Sequence, residues 1–88
     1  MTIEEVIERA VLLNKDIEIE YCTRSGSLFR CRITDIRYSG CYGGGYINAL
    51  RMDMDEYRTF KISRILKVNG HSFSRIFWDQ IGDNFNVI

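Results

Sequence analysis

The sequence predicts a mainly β domain of the α+β class, in which one N-terminal helix is followed by a small barrel of five strands. Apolar residues recur at helical spacing only near the N-terminus, and they alternate with polar residues in short segments from residue 17 to residue 68. The chain of 88 residues has seven glycines and no proline, so its turns are made by glycine. Short, strongly bent strands favour a barrel, since closure removes exposed edges and one helix can cover the open end.

The helix is predicted over residues 2–14. Thr2 and Glu5 have the spacing of a capping box, in which each side chain satisfies a free backbone donor of the other residue. The apolar stripe that would pack on the barrel consists of Ile3, Val6, Ile7, Ala10 and Leu13.

Alternation of apolar and polar residues then defines the strands. The predicted strands cover residues 17–22, 29–38, 46–52, 57–62 and 65–68. The apolar phase slips near Asp35, which predicts a β-bulge or a sharp bend there. Residues 24–27 and the pair Asn69-Gly70 predict turns, and residues 39–45 form a glycine-rich loop.

The composition excludes several classes of protein. Twelve basic and twelve acidic residues cancel, which argues against non-specific binding of duplex DNA. No apolar run reaches the length of a membrane span, and the first residues lack the basic start of a signal peptide. Three cysteines and one histidine make neither a disulfide framework nor a zinc site. We therefore expect a reduced, cytoplasmic protein with no metal, no cofactor and no membrane partner.

The neutral total hides a segregation of charge along the chain. Residues 1–20 hold six acidic and two basic residues, whereas residues 21–51 hold five basic residues and one acidic residue. This distribution predicts a basic face, with the acidic helix and first strand lying elsewhere. The alternative is that mixed charges simply solvate a small surface.

Two neighbouring segments carry a resemblance to a known family. Residues 57–65, Y-R-T-F-K-I-S-R-I, nearly match the Y-R-T-F-R-L-D-R-I strand of WYL domains. In the family this strand follows one of the type W-Y-L-x-A. Tyr46, Ile47 and Ala49 fit that strand, and Gly45 stands where the family has tryptophan.

The resemblance extends over residues 3–68, because residues 7–21 are similar to the helix and first strand that open a WYL domain. It implies a single WYL-like domain over residues 1–88 with an SH3-like, Sm-type barrel. Residues 69–88 would then close the barrel or meet a partner. Members of the family serve as ligand-sensing modules of transcription regulators, helicases and defence proteins, and they are not usually enzymes.

The resemblance also implies a basic groove that receives an anionic ligand, to which Arg58, Lys61 and Arg64 would contribute. Arg30 and Arg32 share the outward face of one strand about 7 Å apart, similar to successive phosphates of an extended nucleic acid strand. Exposed tyrosines beside arginines suit base stacking. The candidate binding residues, expected to form one basic surface, are Arg30, Arg32, Tyr46, Tyr57, Arg58, Lys61 and Arg64.

Six of these seven residues have an ordinary structural alternative. Arg58 and Arg64 would pair with nearby acids and fix turns, Arg30 and Arg32 would lie on a solvated strand face, and the tyrosines would be half-buried with wet hydroxyl groups.

The function expected from these residues is non-catalytic binding of a negatively charged ligand, above all single-stranded nucleic acid or a nucleotide. The glycine-rich loop lacks the G-K-[ST] ending of a phosphate-binding loop, and neither His71 nor Cys41 belongs to a catalytic motif. The alternative is a protein-interaction module that docks on a larger regulator or helicase. Its apolar residues 73–78 would then mediate a homodimer or contact with a separate DNA-binding regulator.

Overall fold

A computed structural model describes residues 1–39 and 45–73 of the chain. These residues form one helix and a five-stranded antiparallel sheet, a small α+β fold that confirms the predicted class. The elements are α1 (Ile3–Leu12), β1 (Ile17–Cys22), β2 (Leu28–Tyr38), β3 (Tyr46–Arg51), β4 (Glu56–Lys61), a 3-10 turn (Ile62–Arg64) and β5 (Ile65–Val68).

Helix α1 begins at the predicted capping box. The backbone N–H of Glu5 donates to the Thr2 hydroxyl oxygen at 3.2 Å, and the backbone N–H of Thr2 donates to the Glu5 carboxylate at 3.1 Å. Three residues of the apolar stripe, Ile3, Ile7 and Ala10, are buried against the sheet. Among the described residues, no helix has the length and apolar character that crossing a membrane requires.

The sheet has the strand order β4-β3-β2-β1-β5, and every neighbouring pair is antiparallel. Strand β2 is long enough to pair with β1 along its first half and with β3 along its second half. The register between β2 and β3 shifts between Thr34 and Arg37, and Asp35 lies there with a φ of 50°. The predicted phase slip at Asp35 is therefore a β-bulge, which bends the long strand.

The sheet curls because the end of β4 comes back to the end of β1. The backbone N–H of Lys61 donates to the Tyr21 hydroxyl at 2.9 Å, and the rings of Tyr21 and Phe60 meet edge to face with centroids 5.1 Å apart. Since Tyr21 belongs to β1 and Lys61 to β4, this contact joins two strands that are separated by β2 and β3 in the sheet order. The result is a barrel-like fold around a single core.

The core consists of the inward residues of all five strands and the buried face of α1. Its strand residues are Ile17, Ile19, Tyr21, Cys31, Ile33, Ile36, Ile47, Ala49, Phe60, Ile65 and Val68. This inward set leaves the alternate residues of each strand on the outer face, where the candidate residues Arg30, Arg32, Tyr46, Tyr57 and Lys61 lie.

The segment after β5 begins with the predicted turn at Asn69 and Gly70, after which His71 bridges back to Val68. Phe73 is partly buried against the core. Most of the segment expected to meet a partner, residues 74–88, lies outside the described residues, as do residues 40–44 of the glycine-rich loop.

Candidate ligand-binding surface

The outer face of β3 and β4 brings together three of the candidate residues. Tyr46 lies directly opposite Lys61, and Leu50 lies opposite Tyr57 in the same register. The Lys61 ammonium nitrogen is 5.9 Å from the centroid of the Tyr46 ring, within the range of a cation–π interaction. We call Tyr46, Tyr57 and Lys61 the β3–β4 surface.

Tyr57 is held on this surface by the β-bulge. The residue is 62% exposed, and its hydroxyl donates a hydrogen bond to the Asp35 carboxylate. This bond lowers the pKa of Asp35, because it stabilises the charged carboxylate, and it raises the pKa of Tyr57, because the hydroxyl must keep its proton to donate. The bulge therefore positions the exposed aromatic ring of Tyr57 near the start of β4.

Arg64 lies where β4 passes through the 3-10 turn, three residues beyond Lys61. Its guanidinium donates to the backbone carbonyl of Thr23 at 3.2 Å, while the Lys61 backbone contacts Tyr21. The Arg64 guanidinium thus lies beside the residue that follows the end of β1, whereas the Lys61 ammonium lies over the Tyr46 ring. Within the residues that the structure describes, no carboxylate lies within ion-pair distance of Lys61 or Arg64.

Arg30 and Arg32 lie on the outer face of β2, as expected, but their neighbours differ from the expectation. Glu20 is opposite Arg30 and Glu18 is opposite Arg32 in the β1–β2 hairpin. The prediction that the acidic first strand lies away from the basic residues is therefore wrong. Its physical reason is that antiparallel pairing of two alternating strands puts their outward residues side by side.

Arg32 is also bound to an acid at the start of the hairpin. Its Nε donates to the Asp16 carboxylate at 2.7 Å, which lowers the pKa of Asp16. Neither Arg30 nor Arg32 is in cross-strand register with Tyr46, Tyr57 or Lys61, because the first half of β2 pairs with β1 and only its second half pairs with β3. The structure thus separates these two arginines from the β3–β4 surface in the register of the sheet.

Arg58 pairs with a nearby acid, which is the structural alternative given above for this residue. It points to the side of the sheet opposite Lys61, and its guanidinium forms an ion pair with the Glu56 carboxylate on the same strand. The residue is exposed because the core does not extend under this part of β4.

Two further arginines were not among the sequence candidates. Arg37 is opposite Asn48 on the outer face, 78% exposed, with Asp35 3.4 Å away. It follows the bulge, where alternation no longer assigns a face. Arg51 stacks over the Phe29 ring at 4.3 Å and donates to the Asp53 carboxylate at 2.8 Å, so it supports the end of the barrel. In the sequence, the signal for this role is the spacing of Arg51 and Asp53, two residues apart at the end of a predicted strand.

A depression of about 190 Å³ lies on the outer face of the β1–β2 hairpin and β5. Its charged lining consists of two carboxylates, one guanidinium and one ammonium, from Glu18, Glu20, Arg30 and Lys67. Because these charges cancel, the depression does not favour an anion.

The described residues contain no group of three histidine, cysteine or acidic side chains that could hold a metal ion. Comparison with protein-family models gives no match to this chain, and comparison with curated proteins gives none either. The resemblance to WYL domains therefore stays a prediction, and the fold and the surface chemistry carry the functional argument.

Proposed function

We propose that this chain is a non-catalytic binding module for a negatively charged ligand, and that the ligand is single-stranded nucleic acid or a nucleotide. The observation that supports the proposal is the Lys61 ammonium over the ring of the half-buried Tyr46, 5.9 Å from its centroid. No described carboxylate lies within ion-pair distance to neutralise that cation. The ligand would sit on the β3–β4 surface, with Arg64 at its margin.

The chemistry of this surface matches the two parts of a nucleotide. A base has a π-face that stacks on a tyrosine ring, and its phosphate is attracted by the neighbouring cation. Tyr57 supplies a second ring on the same face, and this one is exposed and held in place by its hydrogen bond to Asp35. Two rings and a cation on adjacent strands suit an extended single strand better than a duplex, whose bases are already stacked.

The basic residues of β2 and of the start of β4 would contribute less to binding of the ligand. Arg32 and Arg58 already interact with Asp16 and Glu56, and a phosphate would have to compete with those carboxylates. Arg30 lies beside Glu20. The resemblance to WYL domains supports a regulatory, ligand-sensing role in the cytoplasm, in which a separate DNA-binding regulator would read the bound state.

Binding of a fluorescein-labelled oligothymidine, followed by anisotropy at several salt concentrations, tests the proposal. We expect binding that weakens as salt rises, since each phosphate neutralised on a single strand contributes about 0.7 to the slope of log K against log salt. Lys61→Gln should reduce that slope by about one such contribution, and Tyr46→Leu should cost about 1–3 kcal/mol of binding free energy through lost stacking.

The matched control is Lys67→Gln, which removes one positive charge from the outer face of β5, where Lys67 faces Glu20. This variant should bind as the parent does. Absence of binding by the parent, or equal effects of Lys61→Gln and Lys67→Gln, would refute the proposed surface. An excess of unlabelled mononucleotide added to the same complex distinguishes a nucleotide ligand, which competes fully, from an extended strand.

The alternative of a protein-interaction module is favoured by a different observation, the exposure of β4 on both faces along its first four residues.

A further inference from the structure

The first half of β4 extends beyond the core. Its first four residues, Glu56 to Thr59, are exposed, and only Phe60 is buried. Strand β4 is also one of the two edge strands of the sheet, so its outer edge pairs with no other strand among the described residues. An exposed edge of this kind is a template for pairing with another strand.

Two hydrogen bonds show which backbone groups of β4 point outward from this edge. The N–H of Ile62 donates to the Gly45 carbonyl across to β3 at 2.8 Å, whereas the N–H of Lys61 points the other way, to the Tyr21 hydroxyl. Backbone groups alternate in direction along an antiparallel strand. The N–H and C=O groups of Tyr57 and Thr59 therefore face outward.

We propose that β4 pairs antiparallel with β4 of a second copy of this chain, with Tyr57 directly opposite Tyr57 of the second copy. In this register the outward backbone groups of the two Tyr57 residues bond to each other. Glu56 then lies opposite Arg58 of the second copy, and Arg58 lies opposite Glu56 of the second copy. The edge is thus complementary to itself in charge as well as in backbone hydrogen bonding.

The neighbouring registers lack this complementarity. Pairing Tyr57 with Thr59 of the second copy places the two Arg58 side chains opposite each other, and like charges in that position are destabilising. Pairing Thr59 with Thr59 requires the N–H of Lys61, which already donates to Tyr21. A shift in the other direction brings the two Glu56 side chains together.

The inferred interface goes beyond the proposed ligand binding and needs no ligand. It is formed by about five residues of each strand, well below the 1,200–2,000 Å² that stable interfaces typically bury, so we expect a reversible dimer. Pairing would also place the two Tyr57 rings, one from each β3–β4 surface, side by side on the outer face.

Sedimentation velocity over a range of protein concentrations tests the pairing with charge-reversed variants. The parent should show a concentration-dependent dimer. Glu56→Arg and Arg58→Glu should each be monomeric, because both variants place like charges opposite each other. An equimolar mixture of the two variants should dimerise again, since each arginine then meets a glutamate. Urea unfolding of each variant separates loss of pairing from loss of folding.

Oxidative cross-linking tests the register, in a background where Cys22 and Cys41 are serine. Tyr57→Cys should give a disulfide-linked dimer, since directly opposed, hydrogen-bonded residues have Cα atoms about 5.5 Å apart. Thr59→Cys is the matched control. Its two copies would be about four residues out of register, or about 13 Å apart, and should not cross-link.

A parent that stays monomeric at millimolar concentration would overturn the inference. So would a dimer that persists in both charge-reversed variants, or a mixture of the two that remains monomeric. Because all these measurements are made without nucleic acid, their failure leaves the ligand-binding test unaffected.

Discussion

The Tyr21 hydroxyl joins β1 to the end of β4 across the curled sheet, and Tyr21→Phe removes that hydrogen bond while keeping the ring. The hydroxyl accepts the Lys61 backbone N–H at 2.9 Å. The ring, which packs edge to face on Phe60 and near Phe29, keeps its place in the variant. The substitution therefore tests how much the hydrogen bond between β4 and β1 contributes to the barrel.

The expected loss of unfolding free energy depends on how well the Tyr21 hydroxyl and the Lys61 N–H are shielded from water. Tyr21 is 9% exposed, while Lys61 is partly exposed, so water reaches the freed N–H only in part. Removing one partner of a buried hydrogen bond costs about 1–3 kcal/mol, and partial hydration places this case near 1 kcal/mol. For a domain of this size, that cost lowers the melting temperature by about 4–8 °C.

Urea unfolding monitored by circular dichroism measures the change, with Tyr38→Phe as the control. Tyr38 is 52% exposed on the same sheet, and removal of its hydroxyl should change the free energy of unfolding by less than about 0.5 kcal/mol. If Tyr21→Phe is as stable as the parent, the hydroxyl does not hold the sheet closed. In that case the curvature depends on the other features of the sheet, such as the packing of Tyr21 on Phe60 and the β-bulge at Asp35.

Two further perturbations test local features of the fold. Asn69→Ala should destabilise the domain by about 1–2 kcal/mol in thermal melts, because the Asn69 side chain accepts the Glu18 N–H at 2.9 Å and its φ is 51°. Tyr57→Phe should raise the pKa of the Asp35 carboxyl toward its ordinary value of 3.8, as measured by NMR titration. The lowered pKa of Asp35 stabilises the folded parent above about pH 4, and this contribution is lost as the pH falls through the pKa of Asp35 in the folded state. The variant lacks most of this contribution, so its free energy of unfolding should fall less in acid than that of the parent. An unchanged Asp35 titration would contradict that role.

Local sequence patterns were sufficient to predict the helix and all five strands. The capping box at Thr2 and the change from helical to alternating spacing after residue 16 are short-range signals, and the structure follows both. The bulge was also predictable, because the apolar phase changes from Ile33 to Ile36. These features depend on residues that are neighbours in the chain.

The electrostatic environment of the candidate residues was less predictable, because it depends on strand register. Counting charge along the chain separated the acids of β1 from the arginines of β2, yet the hairpin pairs Glu20 with Arg30. The contact between Lys61 and Tyr21 joins residues 40 positions apart, and no local pattern indicates it. Which cations remain without an acidic neighbour is therefore a property of the folded sheet.

The most direct test of the proposed function is an NMR titration of the isotope-labelled protein with a short oligothymidine, recording backbone amide shifts. We predict that the largest shifts lie on the β3–β4 surface at Tyr46, Tyr57 and Lys61 and extend to Arg64. Shifts centred on Arg30 in the β1–β2 hairpin, or no shifts at all, would contradict this prediction.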